Sequence, residues 1–167
     1  MLSKDEFKET AWQNAAEIGQ VEILQKLWAW AKELQLKPEE LRNELLLSKD
    51  KFNKTAWQKA AKICQVEILE KLWDWGKELQ LKPEELRNEL FFSENLFKQT
   101  AWHKASRRDH VEVLEKLWDW AKELQLKLEE LRNELLLSKD KSKGTVCHKA
   151  AETGQVEILE KMWDWVK

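Results

Sequence analysis

Apolar residues between positions 66 and 79 recur at the spacing of a helix. They are Val66, Ile68, Leu69, Leu72, Trp73, Trp75 and Leu79. This spacing makes a wide apolar stripe on one side of a helix with 3.6 residues per turn. Charged residues lie between these positions, and Glu67 precedes Lys71 by four residues, the favourable order for an ion pair within a helix. The pattern predicts an amphipathic helix from Val66 to about Leu79.

Two further helices are predicted around this segment. Thr55 can cap a shorter preceding helix through its hydroxyl group, and the next apolar residues share one helical face at Ala56, Trp57, Ala60 and Ala61. After the long helix, Pro83 with Glu84 and Glu85 is typical of a helix start. The segment 47–54 is polar and turn-like, and its Asn53 accepts a positive φ more readily than the lysines at the matching positions. One unit therefore predicts helix, helix, helix and loop.

The same unit recurs along the whole chain. Thr10, Thr55, Thr100 and Thr145 each stand 45 residues after the one before. In all four units a V-E-I-L or V-E-V-L segment and a W-x-W segment follow, and the first three units also have L-R-N-E-L. A fixed period of this length is typical of solenoids, in which each unit buries its apolar face against its neighbours. The prediction is a single array with units at about 2–46, 47–91, 92–136 and 137–167, the last incomplete.

The two ends match positions inside the array. Leu2 and Ser3 correspond to Leu47 and Ser48, and Lys167 corresponds to Lys122 in the middle of a unit. Neither end has the polar capping unit that solenoids normally need for solubility. We therefore expect a piece cut from a longer array, and a short natural protein with poor caps is the alternative.

The pattern D-x-x-x-x-T-A-W-x-x-A-A-x-x-G-x-V-E-I-L resembles the ankyrin repeat. It covers Asp5–Leu24, Asp50–Leu69, Asn95–Leu114 and Asp140–Leu159. In the T-P-L-H motif of that family, the Pro is replaced here by Ala or Val and the Leu by Trp or Cys. The hairpin Gly is absent from its usual place, and the usual period is about 33 residues, so the additional residues are assigned to the third helix. The resemblance implies an all-α repeat solenoid of ankyrin-like units with three helices per unit.

Composition and charge limit the classes of partner. The chain has 29 Lys and Arg against 31 Asp and Glu, a net charge of −2, which gives no case for nucleic acid or a membrane surface as partner. The few turn-forming residues, 4 Gly and 2 Pro, argue against an all-β fold. No apolar run is long enough to cross a membrane, and no signal peptide begins the chain. With only two cysteines, an intracellular and most simply a cytoplasmic location is expected.

No catalytic or metal-binding motif stands out. The chain has no nucleophile elbow, P-loop, G-x-G-x-x-G or H-E-x-x-H, and Cys64 and Cys147 are too scattered for a zinc site. Cys147 takes the place of a tryptophan, which predicts a buried thiol. The resemblance implies that the imidazole side chains of His103 and His148 have a structural role and connect neighbouring loops. Carboxylates that recur with the repeat predict a solvated face, and the 11 Trp, at matched positions, predict core ladders instead of stacking platforms for ligands. We expect no enzymatic activity, no cofactor and no metal.

The units differ mainly in the loop before each threonine and at the end of the first helix. In ankyrin-like arrays these positions line the concave groove. They are acidic in the first unit and basic in the next two, and each of these three loops has one phenylalanine. We expect Phe7, Phe52 and Phe97 to form an apolar row at the loop tips. The candidate partner-binding residues are Phe7, Lys51, Phe52, Lys54, Lys59, Lys62, Ile63, Phe97, Lys104, Arg107 and Arg108.

The leading hypothesis is a non-catalytic protein–protein interaction scaffold that binds an acidic peptide or protein face along this groove. The molecule itself is expected to be a monomer or to associate weakly end to end. The alternative is a structural or spacer segment of a longer ankyrin-like array with no ligand of its own. Whether the variable groove binds a partner separates the two hypotheses.

Overall fold

The computed structural model describes residues 2–107 and 110–167, and within them the regular structure is helical, with no strand. The α-helices are α1 Ala11–Ile18, α2 Val21–Glu33, α3 Pro38–Glu40, α4 Ala56–Lys62, α5 Val66–Glu78, α6 Pro83–Leu86, α7 Ala101–Ala105, α8 Val111–Glu123, α9 Leu128–Arg132, α10 Val146–Glu152 and α11 Val156–Val166. The predicted all-α class is confirmed.

The first two helices of the second unit begin and end close to the predicted positions. Helix α4 starts directly after Thr55, whose Oγ1 accepts a hydrogen bond from the Gln58 N–H at 3.4 Å. Helix α5 covers the amphipathic segment and ends one residue before Leu79. Its buried face includes Leu72 and Trp73, in agreement with the apolar stripe.

The third helix takes a form that the sequence did not predict. Helices α3, α6 and α9 are short and continue directly as π-helical segments at Leu41–Leu46, Arg87–Phe91 and Asn133–Leu137. The Leu47 N–H reaches back five residues to the Arg42 carbonyl at 2.8 Å. The consecutive side chains of Leu45 and Leu46 are both fully buried, so this segment places neighbouring residues in the core together. Such π-helical turns are rare and short in proteins, yet one recurs here in each of the first three units.

The loop before each first helix is held by its own acidic or amide side chain. Asp50 Oδ1 accepts hydrogen bonds from the N–H groups of Phe52 and Lys54, both at 2.8 Å. Asn53 has a φ of 57°, as predicted, and the matching Lys8, Lys98 and Lys143 have φ values of 59°, 53° and 62°. The lysines therefore adopt the same left-handed conformation as Asn53, although asparagine accepts a positive φ more readily, and they do so within the same hydrogen-bonded loop.

A left-handed residue follows the first helix in the first, second and fourth units. Gly19 has a φ of 79° and Gly154 a φ of 72°. Cys64, at the matching position, has a φ of 58°. Cys64 thus keeps the left-handed conformation of the glycines at a steric cost, because it carries a side chain. Asp109 lies outside the described residues.

Tryptophan side chains form a continuous part of the core. Trp73 is only 2 % exposed and stacks on Trp120 of the next unit, with ring centroids 5.1 Å apart. The pairs Trp28–Trp75 and Trp118–Trp165 stack in the same way at 4.8 and 5.0 Å. In the second, third and fourth units, the second Trp of the W-x-W segment thus stacks on the first Trp of that segment in the preceding unit. The predicted Trp clusters are confirmed, whereas Trp30 and Trp163 are exposed and lie outside the core.

Neighbouring units also contact through their first helices and through ion pairs. Helix α4 packs against α1 and α7, and α7 packs against α10. The recurring charged residues pair from one unit to the next at Lys32–Glu78, Lys77–Glu123, Arg42–Glu85, Arg87–Glu130, Lys116–Glu70 and Lys161–Glu115. Many recurring carboxylates therefore have a cation partner on the outer face. In the described part of the chain, no helix has both the length and the apolar character needed to cross a membrane.

Candidate functional site

The tips of the four loops are joined in a row. One backbone hydrogen bond connects each loop to the next: Lys51 N–H to the Phe7 carbonyl at 3.1 Å, Leu96 N–H to the Phe52 carbonyl at 2.9 Å, and Lys141 N–H to the Phe97 carbonyl at 2.9 Å. We call the surface made by loops 5–9, 50–54, 95–99 and 140–144, with the adjoining outer sides of α1, α4, α7 and α10, the loop face. The regular bonding places the variable loop residues of successive units side by side.

Aromatic rings and ammonium groups alternate along these tips. Phe7 and Phe97 are 45 % and 43 % exposed, and Phe52 is half-buried with its ring centroid 6.0 Å from that of Phe97. Lys51 Nζ lies 3.9 Å from the Phe7 ring centroid, and Lys54 Nζ lies 4.9 Å from the Phe52 centroid. These distances are within the range of cation–π attraction. The predicted phenylalanine row is therefore present, and its apolar rings are bordered by positive charge.

Lys59 does not lie on this surface, although the sequence placed it there. Its side chain is 2 % exposed, between the first and second units. Its Nζ contacts Glu9 Oε1 at 2.9 Å, Glu17 Oε2 at 2.6 Å and Asp50 Oδ2 at 3.4 Å. Burial lowers the pKa of Lys59, but the hydrogen bonds that its ammonium group donates to Glu17 and Glu9, with the negative charges of both carboxylates, outweigh burial and raise the pKa above its ordinary value. Lys59 is thus a charged link between units, enclosed by carboxylates.

Lys104 occupies the matching position in the third unit but has different neighbours. Its Nζ donates to Gln99 Oε1 at 2.6 Å, and Gln99 Nε2 in turn donates to Asp140 Oδ2 at 2.9 Å. Within residues 2–107 and 110–167, no carboxylate forms an ion pair with Lys104. Burial, with the positive charges of Lys54, Arg107 and Lys62, lowers the pKa of Lys104 to about 8. The junction of the second and third units therefore concentrates positive charge around a partly buried amine.

The remaining predicted site residues are distributed near this junction. Lys62 is exposed and lies 3.7 Å from Glu17, and Ile63 is half-buried at the end of α4. Arg107 is exposed just after α7. Arg108 lies outside the described residues. Lys54, Lys62, Lys104 and Arg107 are thus brought together as predicted, whereas Lys59 is not part of the group.

The matching lysine of the fourth unit is neutralised by its own loop. Lys149 Nζ lies 3.1 Å from Asp140 Oδ2, and both side chains are buried. Burial raises the pKa of Asp140, but hydrogen bonds from Gln99, the Gly144 N–H and Lys149 outweigh it and lower the pKa to about 2. The sequence pattern contained the signal for this difference, because the third unit has Asn95 where the others have aspartate.

In the first three units, a buried amide or imidazole side chain connects the first helix to the following loop. His148, which was expected to do the same, is exposed, and its Nδ1 lies 2.8 Å from Thr145 Oγ1 of its own unit. His103 Nε2 lies 3.2 Å from the Ser138 carbonyl, and burial lowers the pKa of His103 below its ordinary value. Gln13 Nε2 donates to the Ser48 carbonyl at 2.7 Å, and Gln58 Nε2 donates to the Ser93 carbonyl at 2.6 Å. The structural role expected of His103 is therefore present, and glutamine performs it in the first two units. Sequence reasoning missed this equivalence, although all these residues stand three places after the threonine.

One open cleft is lined by residues outside the four loops. It measures about 490 Å³ and its lining includes Arg87, Phe92 and Glu134. Glu134 is buried and accepts a hydrogen bond from Thr100 Oγ1 at 2.5 Å, and burial raises its pKa to about 6. Cys147 is half-buried and its Sγ lies 3.6 Å from the Leu135 carbonyl. Within the described residues, no group of three or more His, Cys, Asp or Glu side chains is arranged to hold a metal ion.

No protein-family model matches the chain, and no curated protein matches it.

Proposed function

We propose that the chain is a non-catalytic protein-interaction scaffold. In this proposal it is a solenoid of ankyrin-like units with three helices each, and its loop face binds an acidic peptide or protein surface. The repeating backbone bond between neighbouring loops supports the array. The ion pairs Lys32–Glu78 and Lys77–Glu123, which join equivalent residues of successive units, support it in the same way.

The phenylalanine row carries the functional part of the proposal. An aromatic side chain that stays exposed does not gain the free energy of burial. Apolar residues that are clustered on a surface usually mark an interaction site. Phe7 and Phe97 remain exposed at loop tips that are joined by a repeating backbone hydrogen bond. Because a backbone bond does not depend on the identity of the side chain, residues at the tips can vary while the loop row is preserved, as expected of a recognition surface.

The charges at the same tips indicate the character of the partner. Lys51 and Lys54 border the aromatic rings, and Lys62 and Arg107 extend the positive surface along the first helices. An acidic partner would be attracted to these residues, and salt would weaken the attraction because exposed charges are screened. The apolar part of the partner would pack on the phenylalanine rings.

Titratable side chains in the interior also support a non-catalytic role. Burial perturbs the pKa of His103 and of Glu134, and both side chains are engaged in structural contacts: His103 with the Ser138 carbonyl of the next unit, and Glu134 with Thr100 of its own unit. A structural network of this kind accounts for perturbed pKa values without a reaction.

The spacer hypothesis remains as the alternative. It is favoured by the stacked Trp pairs and unit-to-unit ion pairs, which would hold an extended rod together with or without a ligand. The two hypotheses differ only in whether the loop face binds a partner with useful affinity.

Random-peptide display on the immobilised chain tests the proposal directly. The selection is repeated on a loop-face variant, Lys51→Glu with Phe52→Ser and Phe97→Ser. The matched control is Lys26→Glu with Leu34→Ser and Leu128→Ser, which makes the same kinds of change at exposed positions outside the loop face.

The proposal predicts enrichment of peptides that combine Asp or Glu with an aromatic or aliphatic residue. These peptides should bind the control variant as they bind the natural sequence and should lose at least about tenfold in affinity for the loop-face variant, since two or more contacts of about 1 kcal/mol are removed. No enrichment, or enrichment of peptides that bind the loop-face variant equally well, would favour the spacer hypothesis.

A further inference from the structure

The three junctions between units place different charges around one conserved position of the repeat. That position is a lysine in the second, third and fourth units, at Lys59, Lys104 and Lys149. At the first junction, two residues of the preceding unit contact this lysine. They stand five residues before and three residues after the position of the preceding unit that matches the lysine, and the same two positions can be compared at each junction. They hold Glu9 and Glu17 at the first junction, Lys54 and Lys62 at the second, and Gln99 and Arg107 at the third.

At the first and third junctions, carboxylates of the chain itself surround the lysine. Glu9 and Glu17 contact Lys59 at 2.9 and 2.6 Å. Asp140 contacts Lys149 at 3.1 Å. In both cases a buried ammonium group is accompanied by oxygen acceptors that carry the opposite charge, as buried charges require.

At the second junction, both sources of carboxylate are replaced. The preceding unit presents Lys54 and Lys62, and the loop of the third unit has Asn95 instead of aspartate. Asn95 uses its Oδ1 to accept the loop N–H groups of Phe97 and Gln99 at 2.8 and 3.1 Å. The neutral Gln99 Oε1 is the acceptor that remains for Lys104. Among the described residues, no carboxylate pairs directly with Lys104: Asp140 is connected to it through Gln99, and Glu17 lies 3.7 Å from Lys62.

We propose that Lys54, Lys62, Lys104 and Arg107 form a carboxylate-binding subsite that accepts an Asp or Glu side chain of an acidic peptide. The peptide carboxylate would take the place that Glu9 and Glu17 take at the first junction. This inference rests on the proposed function, because it assigns the anionic part of the partner to one junction of the loop face. The lowered pKa of Lys104 agrees with it, since a bound anion would stabilise the ammonium form.

Phe52 gives the subsite an apolar neighbour. Lys54 Nζ lies 4.9 Å from the Phe52 ring centroid, and the Phe52 and Phe97 centroids are 6.0 Å apart. A carboxylate held by Lys54 and Lys104 would therefore bring the next side chain of the peptide close to these rings. We infer that the subsite prefers an acidic residue adjacent to an aromatic or aliphatic one.

The test uses three probes with the full chain in low-salt buffer at pH 7. The first is the peptide acetyl-Glu-Glu-Phe-amide, the second is acetyl-Gln-Gln-Phe-amide, and the third is inorganic phosphate. Isothermal titration calorimetry measures affinity, and the NMR shifts of the Lys104 side chain report whether a probe binds at the junction.

Two variants place a carboxylate of the chain itself in the subsite, where it would compete with the peptide. Lys54→Glu with Lys62→Glu recreates the arrangement around Lys59, and Asn95→Asp supplies the loop carboxylate found at Asp50 and Asp140. Both imitate junctions that exist in this fold, and circular dichroism verifies that they are folded. Lys26→Glu with Lys139→Glu changes the net charge by the same amount as the Lys54 and Lys62 double variant, at exposed positions that are not among the four subsite residues.

The proposal predicts that the glutamate peptide binds with a shift of Lys104 and that the glutamine peptide binds at least about tenfold more weakly, because a charge-assisted hydrogen bond is lost. The Lys54 and Lys62 double variant should lose the same factor, and the charge-matched control should lose less than about threefold. Equal binding of both peptides, or glutamate binding that the double variant retains, would overturn it. Phosphate binding at Lys104 without glutamate binding would also overturn the carboxylate assignment.

The experiments distinguish a failure of the proposed function from a failure of this inference. If display-selected peptides depend on Phe52 and Phe97 but bind the Lys54 and Lys62 double variant normally, the scaffold proposal stands and the subsite is wrong. If the glutamate peptide binds at Lys104 but display yields no peptide that depends on the loop face, the subsite stands and the scaffold proposal is wrong.

Discussion

At the scale of single residues, the buried tryptophans are the main anchors between units. Trp73 is almost fully buried and contacts Trp57, Phe91 and Trp120 at ring distances of 6.2, 5.8 and 5.1 Å. Its side chain bridges two units, so its loss would leave a cavity that neither unit can fill alone.

We predict that Trp73→Ala lowers the free energy of unfolding by about 3–5 kcal/mol, through lost transfer energy and the cavity. Urea denaturation followed by circular dichroism measures the change. Trp30→Ala is the matched control, because Trp30 is 50 % exposed and its replacement should cost about 1 kcal/mol or less. A similar decrease in the free energy of unfolding for the two variants would show that the stacked tryptophans do not hold the units together.

A second residue-scale prediction concerns the glutamine that stands in for histidine. Gln58 is buried and donates to the Ser93 carbonyl at 2.6 Å. Gln58→Ala leaves that carbonyl without its partner and should cost about 1–3 kcal/mol. Gln58→His should retain most of the stability, because His103 makes the matching contact one unit later. If His destabilises as much as Ala in thermal and urea melts, the two side chains are not equivalent.

At the scale of helices and loops, sequence reasoning succeeded where the controlling contacts are local. Helix α5 follows from its apolar spacing, and the start of α4 follows from the capping threonine. It failed for the π-helical ends of the third helices, because these depend on packing both Leu45 and Leu46 into a core made by other elements. It also misplaced Lys59, whose partners Glu9 and Glu17 lie in a different unit.

The Lys59 cluster joins α4 to α1, and this coupling can be measured. Replacing both Glu9 and Glu17 by glutamine removes two charged hydrogen-bond acceptors from a buried ammonium group and should cost about 1.5–3 kcal/mol. Adding Lys59→Met to that variant should restore part of the loss, because the unpaired charge is then removed. Lys77→Ala breaks an exposed pair and should cost about 1 kcal/mol or less. A triple variant less stable than the double variant in urea melts would contradict this account.

At the scale of the whole molecule, stability should depend on pH through two groups with opposite signs. Lys104 has a pKa of about 8 when folded against an ordinary value of 10.5, so the unfolded chain holds the proton more tightly and stability rises as pH rises from 8 to 10.5. Glu134 has a pKa of about 6 against 4.5, so the folded chain keeps the proton longer and stability falls as pH rises from 4.5 to 6.

Paired melts isolate these contributions from those of other groups. The difference between the natural sequence and Lys104→Met should change with pH between 8 and 10, and the difference for Glu134→Gln should change between 4.5 and 6. Asp140, with a pKa of about 2 against 3.8, contributes stability that is lost as pH falls through that interval. Differences that stay constant across these ranges would mean that the pKa values of the two groups are ordinary in the folded chain.

Protection against hydrogen exchange should also vary along the chain. Trp163 in α11 is 64 % exposed, whereas Trp73 in α5 is covered by the next unit. In an array, local stability is approximately a sum of contacts with nearest neighbours. Amides of α10 and α11 should therefore exchange faster than those of α4 and α5. Equal protection in a verified monomer would contradict nearest-neighbour stabilisation.

A hydrogen-exchange footprint of the chain bound to its tightest display-selected peptide tests the central claim most directly. The claim predicts new protection in the loops 50–54 and 95–99 and around Lys104, with little change in α5 and α8, and a footprint that weakens as salt is added. Protection confined to the cleft beside Arg87 and Glu134, or to the second helices, would contradict the assignment of the loop face as the binding surface.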